Sequence, residues 1–167
     1  IEFVAGAGNP HMLEDNIDIM IHIDEPQDSS FIARKIASAT TNYYASPDYL
    51  KRNGIPETPG DLYDHDCIVE LTYERSPRPW LFGEADALAK LKINGKYNCD
   101  SIQLCRELAE KNLGVTMVPD FICRESLEKG TLKKLFNGRY EVVHNLYAMY
   151  PSRRFVPANT RIFLDFL

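Results

Sequence analysis

Residues 98–121, NCDSIQLCRELAEKNLGVTMVPDF, decide the fold of this chain. Asp100 or Ser101 can cap a helix, because either side chain can accept a hydrogen bond from the free N–H groups of a first turn. Apolar residues then recur every three or four positions, as they do along one face of a helix. They are Ile102, Cys105, Leu108 and Ala109. The spacing therefore predicts a helix that begins directly after Ser101.

A turn and a buried strand follow this helix. Asn112 and Gly114 tolerate the left-handed backbone that commonly ends a helix. Residues 115–118 form a short apolar run, which is typical of a strand buried on both faces. Pro119 ends that run and suits the first turn of another helix. A helix feeding a buried strand predicts a parallel sheet with helices packed on it, and therefore an α/β fold.

Two long extended segments, residues 31–46 and 145–150, predict a division of the chain into two lobes. The first segment is small and polar in its middle, which suits a connector between lobes. We therefore expect two strands to cross between the lobes. Lobe I would contain residues 1–38 and 147–167, and lobe II would contain residues 39–146.

Two further local patterns make specific predictions. Asn94-Gly95 is the strongest hairpin signal in the chain, and it predicts a tight turn between strands at residues 88–93 and 96–98. Residues 157–167 are amphipathic and predict a terminal helix. Its apolar face would consist of Ile162, Phe163, Phe166 and Leu167.

Composition excludes several functional classes. The chain has 167 residues, 44% of them hydrophobic, and a formal net charge of −5. This acidic balance argues against a nucleic-acid-binding surface, which needs a basic face. No apolar run is long enough to cross a bilayer. The four cysteines show neither zinc-like spacing nor a Cys-x-x-Cys pair, and scattered thiols suit a reducing cytoplasm.

Several segments, in order along the chain, resemble the effector-binding domain of LysR-type transcriptional regulators. The central stretch carries part of this resemblance through Asn112-Leu113-Gly114-Val115 and Val118-Pro119-Asp120-Phe121, although Asn112 stands where the family usually has glycine. The other matching segments are Asp18–Ile23, Asp28-Ser29-Ser30, Ala45–Leu50, Thr58-Pro59, Asp61-Leu62, His65–Ile68, Gly130-Thr131-Leu132 and Tyr150–Arg154.

The resemblance implies a two-lobed, type II periplasmic-binding-protein-like fold with two crossover strands. It implies a cytoplasmic regulatory module that binds a small-molecule effector, such as a carboxylate, between its lobes, and that forms a homodimer or homotetramer. DNA contact would come only from an N-terminal helix-turn-helix, with no role for a membrane. The family has a further strand and helix before the segment that matches Ile1, so we expect lobe I to need a partner chain or to be disordered.

The candidate effector contacts lie at strand ends and helix starts, where α/β folds bind ligands. A helix beginning at Ser101 would present free N–H groups and the positive end of its dipole to a small anion. The resemblance adds residues on both lobes. The full candidate set is Ile23, Ser29, Ser30, Tyr43, Cys99, Asp100, Ser101 and Pro119.

Each candidate also has a purely structural interpretation. Asp100 and Ser101 could simply cap their own helix, and an ionised Asp100 would compete with an anionic ligand. Ser29 and Ser30 could belong to a solvated loop, and Tyr43 could be an aromatic core residue. Cys99, near a helix start, could have a lowered thiol pKa.

The sequence indicates no catalytic residue, cofactor or metal site. His65 and Cys67 are the nearest approach to a nucleophile and its base, but residues two apart on a strand lack the required geometry and an orienting third group. Two other functions stay open as alternatives, and the first of them shares this architecture. They are a solute-binding protein of a transport system and, less favoured, an α/β enzyme with an active site in its cleft.

Overall fold

The structure is a computed structural model that describes residues 17–23, 31–72, 74–84, 87–151 and 157–167. The helices within these residues are α1 (Pro47–Asn53), α2 (Ile102–Glu110), α3 (Asp120–Glu128) and α4 (Ala158–Phe166). The strands are β1 (Met20–Ile23), β2 (Phe31–Ala45), β3 (Cys67–Glu70), β4 (Trp80–Glu84), β5 (Ala87–Leu91), β6 (Tyr97–Cys99), β7 (Val115–Pro119), β8 (Lys133–Lys134) and β9 (Val142–Pro151). Two short 3-10 turns occupy Pro59–Asp64 and Phe136–Gly138.

The central stretch folds as its sequence predicts. Ser101 is the N-cap of α2, and its side chain accepts a hydrogen bond from the backbone N–H of Leu104. The turn after α2 places Asn112 at φ 65°, a left-handed conformation that asparagine adopts more readily than most residues. Strand β7 follows, and α3 begins immediately after Pro119.

The chain separates into two compact units. One is Thr40–Val142. The other combines the described part of Gly8–Ala39 with Val143–Leu167. The predicted lobe boundaries, after residue 38 and before residue 147, stay a prediction.

The Thr40–Val142 unit contains a mixed sheet with the order β2-β7-β3-β6, and β8 pairs with β2. Strand β3 runs parallel to both β6 and β7, while β2 runs antiparallel to β7. The three parallel strands therefore all end at the same edge of the sheet, and β2 begins its pairing with β7 there, where Thr41 lies opposite Pro119.

Each face of this sheet carries its own apolar core. Successive strand residues point to opposite faces, so Tyr43 and Tyr44 belong to different cores. The first core is aromatic, and it includes Tyr43, Tyr49, Trp80, Phe82, Val69, Val115 and Tyr140. The second is built from smaller side chains and thiols, and it includes Tyr44, Ile68, Cys99, Cys105, Ala109, Val118 and Cys123.

The predicted hairpin at Asn94-Gly95 is wrong. The antiparallel pair is β4 with β5, whereas β6 pairs in parallel with β3. Gly95 serves a close approach instead of a tight turn, because a Cβ placed there would lie 2.8 Å from Cγ2 of Val69. Ile93 is buried in the aromatic core, so the chain after β5 does not fold back to pair with that strand.

In the second unit, the strand order is β1-β9-β2, and α4 is the helix among its described residues. The predicted apolar face of α4 is wrong: Ile162 and Phe166 are 69% and 82% exposed, and the buried residues are Thr160 and Leu164. The guanidinium of Arg34 on β2 donates a hydrogen bond of 2.6 Å to the carbonyl of Leu164. The side of α4 that packs inward is therefore the one that carries Thr160 and Leu164.

Candidate functional site

The candidate site is the edge of the Thr40–Val142 unit where its parallel strands end, which we call the carboxyl edge. It is marked by the last residues of β3, β6 and β7, namely Glu70, Cys99 and Pro119. Helices α2 and α3 begin immediately after two of these strands. Helix starts present free N–H groups and a positive dipole end, so this edge suits polar or anionic ligands.

At the start of α2, Ser101 acts as a cap. Its Oγ accepts a hydrogen bond of 3.4 Å from the N–H of Leu104 and lies 3.2 Å from Oε1 of Gln103, to which it donates. The neighbouring Asp100 is exposed. The capping role that the sequence left open is therefore present, and ligand contact by either residue stays a prediction.

Cys99, unlike its neighbours Asp100 and Ser101, has a buried side chain. It belongs to the thiol-rich core together with Cys105. Burial raises the pKa of the Cys99 thiol, contrary to the lowered pKa expected beside a helix start. Cys99 is therefore a poor nucleophile in this structure, and only the end of its strand lies at the edge.

At the start of α3, a polar cluster surrounds Asp120. Asn42 Nδ2 donates a 2.8 Å hydrogen bond to Asp120 Oδ1, and the hydroxyl of Tyr44 donates to the same oxygen. Lys134 Nζ donates to Asp120 Oδ2 at 2.7 Å. Pro119, the predicted site residue, is the N-cap of α3 and makes no side-chain capping bond. We call Asn42, Tyr44, Asp120 and Lys134 the Asp120 cluster.

The neighbouring side chains stabilise the ionised form of Asp120. Burial raises its pKa, but hydrogen bonds from Lys134, Tyr44 and Asn42 outweigh burial, and the pKa of Asp120 is lowered overall. Asn42 is fully buried, and its Oδ1 has no hydrogen-bond partner among the described residues. The cluster thus combines a stabilised ion pair with one unpaired acceptor.

Sequence reasoning missed the Asp120 cluster. An asparagine between small residues and two tyrosines in a strand, and an acid directly after a strand-ending proline, were the available signals. These local signals could not predict the cluster, because it forms only when β2 pairs with both β7 and β8.

Tyr43, predicted as a ligand contact, lies in the aromatic core. Its ring stacks on Phe82 with centroids 4.5 Å apart, and its hydroxyl donates to the carbonyl of Leu81. Burial raises its pKa. The sequence allowed two roles for Tyr43, ligand contact and core packing. These contacts make it a core residue.

The remaining predicted residues do not lie in this unit's described structure. Ile23 is the exposed last residue of β1 in the other unit, where it pairs with Leu146. Ser29 and Ser30 lie outside the described residues. The structure therefore brings Cys99, Asp100, Ser101 and Pro119 to one edge and adds the Asp120 cluster to them.

The width of the carboxyl edge limits what one ligand can reach. Neighbouring strands lie about 4.8 Å apart, so β7 and β6, which lead into α3 and α2, are separated by about 10 Å across two intervals. A small metabolite spans only part of this distance. The starts of α2 and α3 therefore act as separate polar positions along one edge.

The opposite edge does not form a nucleophilic site. His65 Nδ1 lies 3.2 Å from the hydroxyl of Tyr49, and the Cys67 thiol donates to the carbonyl of Leu62. Burial raises the pKa of Cys67 to about 12, so it is protonated at neutral pH. Within the part of the chain that the structure describes, no cluster of His, Cys, Asp or Glu could hold a metal ion.

Comparison with known proteins identifies this architecture. A family model described as the LysR substrate binding domain matches residues 4–167. An uncharacterized HTH-type transcriptional regulator of Haemophilus influenzae is 32% identical over 156 residues, covering 93% of this chain and 54% of the relative. The HTH-type transcriptional regulator CrgA of Neisseria meningitidis is 27% identical over 168 residues, covering all of this chain and 56% of the relative.

Solved structures agree with the sequence relatives. The regulatory domain of CrgA, described as a LysR-type transcriptional regulator from Neisseria meningitidis, superposes with a TM-score of 0.76 at 28% identity. The match covers 92% of this chain and 75% of that one. The fold is therefore that of a LysR-type regulatory domain, the two-lobed α/β arrangement of the type II periplasmic-binding-protein class.

The chain belongs to the LysR substrate-binding domain family. It spans about half the length of the curated relatives it matches. Among the described helices, none is both long and apolar enough to cross a membrane.

Proposed function

We propose that this domain senses a small-molecule effector on behalf of a cytoplasmic, LysR-type transcriptional regulator. The observation that carries the proposal is the carboxyl edge, where β3, β6 and β7 end together and two helices begin. This arrangement supports ligand binding at the edge, which the family relationship leads us to expect. The relatives named above are transcriptional regulators, and this favours regulation over solute transport.

The mechanism is a shift of population and involves no reaction. An effector can change the regulator only if it binds one conformation more tightly than another. The expectation that the effector lies between the lobes and changes their closure stays a prediction from the family resemblance. The relatives are named as transcriptional regulators, and this favours a regulatory role over that of an enzyme.

The partners follow from the family. We propose that the regulator is a homodimer or homotetramer and that it contacts DNA through a helix-turn-helix. The net charge of −5 in this chain supports the assignment of DNA binding to another part of the protein. A carboxylate is the favoured effector class, because the helix starts at the carboxyl edge offer N–H groups to an anion.

A thermal-shift screen of small carboxylates and aromatic acids on the full-length regulator tests the proposal. Compounds that raise the melting temperature are then titrated by calorimetry against Ser101→Ala and Ser46→Ala. Both serines cap a helix, but Ser46 caps α1 at the opposite edge of the sheet. Each substitution should cost about 1 kcal/mol of stability.

We expect Ser101→Ala to weaken binding of at least one compound about tenfold and Ser46→Ala to leave it unchanged. Equal effects of the two substitutions on every compound that binds would move the site away from this edge. A complete absence of binding by carboxylates and aromatic acids would overturn the carboxylate effector.

A further inference from the structure

Three of the four cysteines lie together in the thiol-rich core of the Thr40–Val142 unit. They are Cys99, Cys105 and Cys123, whereas Cys67 lies in the aromatic core on the opposite face of the sheet. All four are free thiols. A free cysteine packs as a small apolar residue, and what distinguishes it from other such residues is the reactivity of its sulfur.

Two of these thiols, those of Cys99 and Cys105, are in contact. Cys99 ends β6 and Cys105 lies in α2, with the helix start between them in the chain. Burial raises the pKa of both thiols, to about 12 for Cys105. A hydrogen bond between the thiols opposes this rise at Cys99 and adds to it at Cys105. Cys99 is therefore the more readily ionised member of the pair.

Exposure distinguishes the same two residues. Cys99 is 6% exposed at the carboxyl edge, whereas Cys105 and Cys123 are fully buried and Cys67 is 1% exposed. A small oxidant arriving from solvent consequently reaches Cys99 first. Cys105 lies directly behind it, in the position of a thiol that resolves an oxidised neighbour.

We propose that Cys99 and Cys105 form a dithiol that a hydroperoxide oxidises to an intramolecular disulfide. Because the two thiols already contact each other, the bond requires a short approach of the sulfurs and no change of strand pairing. It would join the last residue of β6 to α2 and enclose Asp100 and Ser101 in a short covalent loop. The proposal goes beyond effector sensing and does not depend on the binding of an effector.

The oxidation has two steps. The Cys99 thiolate attacks one oxygen of the peroxide, the O–O bond breaks, and the other oxygen takes up a proton and leaves as an alcohol, or as water from hydrogen peroxide. The Cys105 sulfur then attacks the sulfur of the Cys99 sulfenic acid. The S–O bond breaks, and hydroxide leaves as water with the proton of Cys105. The two sulfurs together lose two electrons, and the peroxide gains them.

The burial of the pair determines how fast it reacts. The thiolate is the reactive form, and a raised pKa keeps the Cys99 thiolate scarce at neutral pH. We therefore expect oxidation by hydrogen peroxide to be slower than that of free glutathione. Such a pair responds to sustained exposure to peroxide and not to a brief pulse, and excess dithiol reagent should reverse the change.

Peptide mapping of the full-length regulator tests the proposal. Lys96 and Arg106 flank both cysteines, so trypsin releases residues 97–106 as one peptide. The folded, reduced protein is treated with hydrogen peroxide for longer than free glutathione needs for complete oxidation. It is then unfolded, alkylated and digested. We expect peptide 97–106 to be two hydrogen atoms lighter and to resist alkylation until dithiothreitol is added, while Cys67 and Cys123 are alkylated.

Two variants assign the steps. Cys105→Ala removes the resolving thiol, so Cys99 should stop at the sulfenic acid and react with dimedone. Cys123→Ala is the matched control from the same core, and it should form the disulfide as the unsubstituted protein does. The mapping of the unsubstituted protein stays decisive if either variant fails to fold.

Several outcomes would overturn the dithiol. They are alkylation of both cysteines in peptide 97–106 after peroxide treatment, a disulfide that joins either of them to Cys67 or Cys123, and loss of the disulfide in Cys123→Ala. None of these outcomes affects effector sensing, because the carboxylate titrations are made on the reduced protein. Failure of carboxylates to bind would likewise leave the dithiol intact.

Discussion

The two edges of the sheet in the Thr40–Val142 unit differ in how completely their polar groups are hydrogen-bonded. At the edge where the parallel strands begin, polar groups pair with one another. Ser46 Oγ donates to Asn112 Oδ1 at 2.6 Å, the hydroxyl of Tyr49 accepts from the N–H of Asp66 at 2.9 Å, and Lys96 pairs with Asp66 at 2.8 Å. We call this the amino edge.

At the carboxyl edge, the pairing is incomplete. Helix α3 lacks a side-chain cap, and Asn42 Oδ1 has no partner among the described residues. Natural proteins satisfy most buried polar groups, and exceptions concentrate where function requires them. The amino edge is therefore the more completely hydrogen-bonded of the two, and the incomplete pairing at the carboxyl edge agrees with the ligand site proposed there.

The largest expected effect is at the amino edge, at Gly114. A Cβ on this residue would lie 2.3 Å from the carbonyl oxygen of Asp66, and backbone cannot move aside as a flexible side chain can. We expect Gly114→Ala to lower the free energy of unfolding by about 3 kcal/mol or more. Urea denaturation measures this, with Gly60→Ala as the control, since its Cβ would meet only Thr58 Oγ1 at 3.7 Å. Equal losses in the two variants would contradict the tight packing of this edge.

A smaller loss is expected from removing one hydroxyl at the same edge. Tyr49→Phe leaves the partly buried N–H of Asp66 without its acceptor, which should cost about 1–3 kcal/mol. Asn42→Leu at the carboxyl edge should cost less than Tyr49→Phe, because loss of the hydrogen bond to Asp120 is offset by removal of a buried acceptor that is already unpaired. Thermal and urea unfolding of the two variants side by side compare the edges directly. A larger loss for Asn42→Leu than for Tyr49→Phe would contradict this difference between the edges.

The carboxyl edge should lose stability in acid through Asp120. Its pKa is lowered in the folded state, so its contribution is present above the ordinary aspartate pKa of about 3.9 and is lost as pH falls below that value. Asp120→Asn should flatten the decline of unfolding free energy below about pH 4. Unfolding measured from pH 3 to 6 tests this, and an unchanged acid slope in the variant would contradict it.

The amino edge should respond in a milder pH range through His65. Burial lowers the pKa of His65 despite the nearby carboxylates of Asp61, Asp64 and Asp66. The unfolded chain therefore takes up the proton first, and stability is lost as pH falls from about 6.5 through the lowered pKa. His65→Gln should remove this component and leave the Asp120 component intact. Stability that rises as pH falls from 7 to 5 would give the opposite sign and refute the assignment.

Local elements followed from local sequence signals. The cap at Ser101, the left-handed turn at Asn112, the buried strand β7 and the start of α3 after Pro119 each depend on residues within a few positions of one another. The family was also recognisable from such segments. Four of the predicted site residues come to one edge for the same reason: each ends a strand or lies between a strand and the helix that follows it. They are Cys99, Asp100, Ser101 and Pro119.

Pairing between distant segments required the tertiary structure. The sequence of Asn94-Gly95 favours a hairpin, but burial of Ile93 and parallel pairing with β3 outweigh that local preference. Helix α4 likewise buries Leu164 where its amphipathic pattern favoured Phe166.

The amino-acid sequence by itself determined the elements, the family and the strand ends that line the candidate site. Only the tertiary structure decided which polar groups meet there, since Asn42 and Asp120 are 78 positions apart. The physical reason is that caps and turns use hydrogen bonds within one turn of chain. Whether a buried amide finds hydrogen-bond partners depends instead on which strands become neighbours. The packing of the whole unit determines which strands those are.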